Sequence, residues 1–224
     1  MNLTLYYHPL ASYCWKVLIA LHENGKTFET KMVNFGDAEA LAAFKSLWPT
    51  AKIPLLDDDG KIIPETSIMI EYIDRLYPGK TALLPAEAEE QLKVRLWDRL
   101  FDSYVMDPMQ QFVAQQLRPE AERDATGMIK SREDLLMAYA MIDNRMGKGP
   151  WAAGDDFTMA DCAAAPALFY AAIVQPFPSD HDNLKNYFER LIERPSVKRV
   201  IKDARPYFQF FPFQKDIPAR FLID

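Results

Sequence analysis

A chain of 224 residues with 49% hydrophobic and 26% charged side chains can bury one sizeable core or two modest ones, with two small domains the expectation, and this composition excludes disordered and fibrous classes. A formal charge of −6, with no cluster of Lys and Arg interleaved with aromatics, argues against nucleic acid as a partner and leaves a small molecule. The two cysteines, Cys14 and Cys162, offer no metal-ligand spacing and fit a reducing compartment; no window approaches 18 apolar residues, so a cytoplasmic protein without a membrane span or a metal is expected.

Leu3 to Tyr7 reads as a strand broken by His8-Pro9. A helix follows from Tyr13 to Glu23, because Cys14, Val17, Leu18 and Leu21 fall at i, i+3, i+4 and i+7 and Asn24-Gly25 supplies a stop. Phe28 to Val33 gives a second strand and Asp37 to Ser46 a weaker helix, so the chain opens with a βαβ unit. Ile53 to Leu56 and Lys61 to Ile63, joined by Asp57-Asp58-Asp59-Gly60, read as an antiparallel hairpin, and a helix runs from Glu65 to Leu76. The sum is a mixed four-stranded sheet with three helices over residues 1–79, followed by a linker at 80–86.

Residues 87–224 carry only helical periodicity and form an all-α domain. Its helices are expected at Glu87 to Gln116 with a kink near Pro108, Glu122 to Met146, Thr158 to Ile173, Asn183 to Glu193 and Val197 to Ala204. Thr158-Met159-Ala160-Asp161 has the form of a capping box with Asp in place of the usual Glu or Gln.

The stretch that carries chemistry is Ile53-Pro54 with Glu65-Thr66 eleven residues on. Proline cannot donate to a ladder, and a cis bond there would turn the neighbouring amide and carbonyl outward toward a ligand. Glu65-Thr66 opens a helix whose first-turn N–H groups and dipole favour a carboxylate guest. Together they describe a dock for a peptide-like acid.

With Gly154-Asp155-Asp156-Phe157-Thr158-Met159-Ala160-Asp161, these motifs in this order resemble the cytosolic glutathione transferases over essentially the whole chain. The resemblance implies a thioredoxin-like N-terminal domain with an all-helical C-terminal domain, a cis Pro54, backbone pairing of Ile53 with the cysteinyl part of glutathione, and Glu65 and Thr66 at the γ-glutamyl end. Lys52 is placed to meet the glycine carboxylate, its alternative being an exposed edge charge. Among His8-Pro9-Leu10-Ala11-Ser12-Tyr13-Cys14, Ser12 is the candidate that donates a hydrogen bond to the glutathione sulfur and favours the thiolate. A plain helix cap is its other reading. In serine-type relatives the catalytic position, counted back five residues from Lys16, falls on Ala11, so Tyr13 and backbone N–H groups stay open, and Tyr6 and Tyr7 stand where tyrosine-type members carry theirs.

Cys14 offers a second enzyme reading, a glutathione-dependent thiol-disulfide reductase, although it shares the apolar stripe of the first helix. A partner-binding protein without catalysis is a third, against which both Glu65 and Thr66 argue. Tyr104, Phe112, Phe208 and Phe211 are the candidate residues for a hydrophobic electrophile; the resemblance implies that an acid from the region of Asp98, Asp102 and Asp107 of a partner subunit reaches the γ-glutamyl amine, without choosing among the three, and each alone reads as part of a solvated face. The expectation is therefore a homodimeric detoxification enzyme that directs the glutathione thiolate at an apolar electrophile.

Overall fold

The computed structural model describes residues 3–223; Met1, Asn2 and Asp224, the outermost positions of the two expected domains, lie outside the described residues. Four strands, β1 (Leu3–Tyr7), β2 (Glu29–Met32), β3 (Leu55–Asp58) and β4 (Lys61–Ile63), form one sheet in the order β2-β1-β3-β4. β1 pairs parallel with β2 and antiparallel with β3, and β3 pairs antiparallel with β4. Three helices accompany the sheet: α1 (Ser12–Asn24), α2 (Ala38–Leu47) and α3 (Thr66–Leu76). The left-handed Gly25 (φ 77°) ends α1, a conformation a Cβ would strain. β3 starts two residues later than the sequence suggests, after Pro54, because proline cannot donate to the ladder.

The helical half comprises α4 (Ala88–Leu100), α5 (Asp107–Gln116), α6 (Ala125–Met146), α7 (Met159–Val174), α8 (Asp182–Ile192) and α9 (Pro195–Ala204). The single kinked helix expected over Glu87 to Gln116 is instead α4 and α5 joined by a π-helical segment, Phe101–Met106. There the Asp107 N–H bonds to the Asp102 carbonyl, one residue farther back than in an α-helix, and the wide turn ends where Pro108, with no N–H to give, begins the next helix. After α9 the chain finishes in short 3₁₀ turns. No described helix is long and apolar enough to cross a membrane.

The hydrophobic core is not divided at the linker. α7 is buried on nearly every side, and its Ala160, Ala163, Ala164, Ala167 and Ala171 give neighbouring helices close approach. Trp15 of α1 packs on Phe169 and Tyr170 of α7 with ring centroids 4.9 and 5.0 Å apart, so the sheet domain and the helical half share one core. A smaller cluster, Val33, Phe44 and Leu55, covers the other face of the sheet. The linker is tied into this core: Asp74 of α3 accepts the N–H groups of Leu83 and Leu84, and the Leu83 carbonyl accepts from Met159 at the start of α7.

At that start Asp161, fully buried, accepts from the N–H of Thr158 (2.9 Å), the N–H of Ala152 (2.9 Å) and the Tyr187 hydroxyl (2.6 Å). The capping carboxylate therefore also binds the preceding loop and α8. A second interdomain tie runs from Glu23 at the end of α1 to the Arg194 guanidinium (2.7 and 2.8 Å), which stacks 3.9 Å from the Phe157 ring centroid.

Candidate functional site

A cleft of about 340 Å³ opens where the N-termini of α1 and α3 face the α4–π segment. Tyr13, Lys52, Ile53, Pro54, Glu65 and Thr66 line it from the sheet domain, and Arg99, Asp102, Ser103 and Asp107 from the helical half. Six residues singled out from sequence thus share one wall. A cavity of about 470 Å³ elsewhere, between α1, β2 and α9, contains none of them. Tyr7 lines that second cavity and Tyr6 packs on Phe44 at 5.6 Å, so neither tyrosine stands at the cleft.

The Ile53–Pro54 bond is cis, and because the ladder begins at Leu55 the Ile53 amide and carbonyl lie outside it. Glu65 precedes α3 with φ of 66°, a left-handed conformation that costs a non-glycine residue about 1–3 kcal/mol. Among the described residues no side chain caps α3 and no acid occupies its first turn. The N–H groups of that turn therefore keep their positive end free for an anion.

The N-terminus of α1, from which Tyr13 reaches the cleft, likewise has no side-chain cap among the described residues, since its N-cap residue is Ala11, and no first-turn acid. The structure does not bring Ser12 into the cleft. Ser12 is 2% exposed, and its Oγ accepts a hydrogen bond from Gln110 Nε2 at 2.8 Å. The first helical position points into the contact with α5, which sequence spacing cannot reveal. Tyr13, one residue on, is the side chain that lines the cleft, and its phenol donates to Asp107 Oδ1 at 3.0 Å. Burial, then the charges of Asp102 and Asp107, push the Tyr13 hydroxyl well above its ordinary value, which keeps it a proton donor at neutral pH.

Cys14 is fully buried, and burial raises its thiol to about 12. That is the opposite of an activated nucleophile, and the reductase reading loses its residue. His8 is also partly buried, which lowers its pKa; its Nδ1 accepts the Leu10 N–H, so it serves the turn.

None of the four aromatic residues assigned to the electrophile lines the cleft. Tyr104 lies on the outer side of the π segment beside Trp97 and Met141. Phe112 is buried under the Arg132 guanidinium at 5.7 Å. Phe208 and Phe211 are buried against Phe169 and Tyr170, 6.0 and 5.2 Å between centroids. Phe208 and Phe211 of the aromatic tail belong to the core, because their rings find apolar surface on α7, whereas Phe210 stays exposed.

The sequence reading also missed a buried polar cluster behind the cleft. Lys16, with no exposed surface, places Nζ 2.7 Å from Asp98 Oδ1, 2.7 Å from Asp102 Oδ2 and 3.0 Å from Ser67 Oγ, to which it donates. Ser67 in turn donates to Asp98 Oδ2 at 2.5 Å. Asp98 and Asp102 are not a solvated face. The signal was present in a lysine embedded in Cys-Trp-Lys-Val-Leu-Ile-Ala-Leu and two aspartates at i, i+4 on the facing helix. Burial raises the Asp102 carboxyl to about 6, against the pull of Lys16 and with help from the Asp98 charge.

With this geometry in place, family models for the glutathione S-transferase N-terminal and C-terminal domains match residues 5–81 and 105–195. The chain belongs to the glutathione S-transferase family. It is 29% identical to a glutathione S-transferase of Pseudomonas putida over 90% of this chain and 92% of that one, and 28% identical to glutathione S-transferase F13 of Arabidopsis thaliana over 89% and 95%. A glutathione S-transferase from Methylobacillus flagellatus, solved with glutathione bound, superposes with a TM-score of 0.80 at 25% identity, covering 88% of this chain and 98% of that one. The thioredoxin-like N-terminal domain and helical C-terminal domain of glutathione transferases are thus the fold of this chain.

Proposed function

We propose that the cleft seats glutathione and that the enzyme transfers its sulfur, as the thiolate, to an electrophilic small molecule. The observation that carries this is the convergence of Tyr13, Lys52, Ile53, Pro54, Glu65 and Thr66 on one cleft in a glutathione transferase fold. The α3 N-terminus and the Thr66 hydroxyl take the γ-glutamyl carboxylate, Ile53 pairs through its backbone with the cysteinyl unit, and Lys52 meets the glycine carboxylate. The sulfur then lies at the N-terminus of α1. There the Tyr13 phenol can leave Asp107 for the sulfur, and first-turn N–H groups with the helix dipole add to it. A thiol with an ordinary pKa of about 8.5 is ionised at neutral pH only with such help.

Leu10 and Ala11, the partly buried, uncharged residues directly before α1, suit an apolar electrophile. Incubating the protein with glutathione and an activated aryl halide tests the reading: the thioether product should form at a rate saturable in glutathione. A rate equal to that of glutathione alone would refute it. Cys14→Ala should leave that rate unchanged, as its burial requires.

Homodimerisation is supported by exposed Ile68, Leu92, Leu96 and Tyr104 on α3, α4 and the π segment, apolar surface that a second copy would cover. Sedimentation at micromolar concentration should give twice the chain mass, and a monomer would exclude it. A cytoplasmic detoxifying role fits the free, buried thiols of Cys14 and Cys162. Fractionation of cells of the source organism that recovered the protein outside the cytoplasm would count against that role.

A further inference from the structure

The cavity of about 470 Å³ between α1, β2 and α9 is larger than the cleft, shares no lining residue with it, and is built from different chemistry. Its floor is apolar and aromatic. Leu18 and Leu21 of α1 are buried there, and Tyr7, His22 and Phe28 are partly buried, with the His22 and Phe28 rings 5.4 Å apart. Burial first, then the Arg199 charge, lowers the His22 imidazole to about 4, against the pull of Asp203 and Glu23. At neutral pH His22 therefore presents an uncharged flat ring.

The rim is charged. Lys26, Arg199 and Asp203 are exposed there, two cations against one acid in a chain whose formal charge is −6. Arg199 Nε lies 3.9 Å from Asp203 Oδ2, and both side chains are well exposed, so the pair is worth little and leaves the guanidinium open to a stronger acceptor. The Lys26 ammonium makes no ion pair or hydrogen bond among the described residues. Glu23, the acid next to His22 on α1, is held by Arg194.

From this arrangement we infer that the cavity is a second binding site, separate from the glutathione cleft, for a planar aromatic carboxylate. The rings lie on the floor beside His22 and Phe28, and the carboxylate meets Arg199 and Lys26 at the rim, where a guanidinium can engage both oxygens. A cationic ligand would face two like charges, and a neutral one would leave both cations without a partner. The occupant touches α1 and β2 of the sheet domain and α9 of the helical half, so it bridges the two halves of the chain. It is a ligand and not an electrophile awaiting sulfur, because no residue of the cleft reaches it.

Calorimetric titration of the full-length protein with β-naphthoate and with β-naphthamide, its neutral analogue, tests both parts of the inference. The carboxylate should bind saturably and at least about tenfold more tightly than the amide, the difference one charge-assisted contact makes. Arg199→Glu and Lys26→Glu, both at exposed positions, should each weaken the carboxylate about tenfold or more and leave the amide unchanged. Phe28→Ala should weaken carboxylate and amide alike, and neither saturating glutathione nor Arg99→Glu at the cleft should alter carboxylate binding. No saturable binding of β-naphthoate at millimolar concentration overturns the inference. So does equal affinity for the amide, or displacement by glutathione, or unchanged carboxylate binding in Arg199→Glu and Lys26→Glu. The glutathione reading stands or falls separately, because none of these outcomes depends on glutathione being bound in the cleft.

Discussion

Two adjacent residues at the start of α1 divide the roles that their chemistry would allow either to take. Ser12 has the hydroxyl but not the position, because its Oγ meets Gln110 in the contact with α5, whereas Tyr13 has both a neutral phenol and a place in the cleft. Tyr13→Phe should therefore raise the pKa of bound glutathione by about one unit and slow turnover about tenfold at neutral pH. Ser12→Ala should leave that pKa in place and cost about 1 kcal/mol of stability from the lost hydrogen bond. Ultraviolet titration of the bound thiolate separates them, and the reverse pattern would return the role to Ser12. Asp102 adds a pH signature. Its folded-state pKa is raised from 3.8 to about 6, so its contribution to stability is fully present below 3.8 and is lost as pH rises through about 6. The difference in unfolding free energy between wild type and Asp102→Asn should fall across that window. A pH-independent difference would mean that Asp102 keeps an ordinary pKa.

At the scale of elements, α3 is built for binding at the expense of local comfort. Glu65 holds φ at 66° directly before the helix, where only glycine is free of strain, and the helix end it opens is left uncapped among the described residues. Glu65→Gly should raise stability by up to about 1 kcal/mol, a gain that relieved strain provides and added backbone entropy reduces. The same variant should weaken glutathione binding, because the carboxylate at the cleft is gone. Thermal melts together with ligand titration test this trade, and a variant that is both less stable and unimpaired in binding would contradict it. The π segment is a similar case. It places Asp102 and Ser103 toward the cleft, and Pro108 follows it as the residue that cannot extend the wide turn.

Across the whole molecule, what was legible in the sequence was whatever depends on local grammar. Alternation, turn residues and helical stripes located the four strands and the helices, and Ile53-Pro54 with Glu65-Thr66 marked one wall of the cleft. What was not legible depends on the facing surface. Lys16 looks like a lysine within an apolar helix until α4 brings Asp98 and Asp102 against it. Ser12 looks like the donor to the glutathione sulfur until α5 supplies Gln110. Phe208 and Phe211 look like contacts for an electrophile until α7 offers its aromatic side. Each misreading assigned to solvent or ligand a side chain that the second half of the chain covers, which follows from a core that runs through both halves. The central claim is that this cleft, and no other surface, seats glutathione through the start of α3. Calorimetric titration of wild type and Thr66→Val with glutathione tests it most directly: saturable binding is expected for the wild type and affinity weakened about tenfold in the variant. Absence of binding to the wild type at millimolar glutathione, or equal affinity in Thr66→Val, would contradict it.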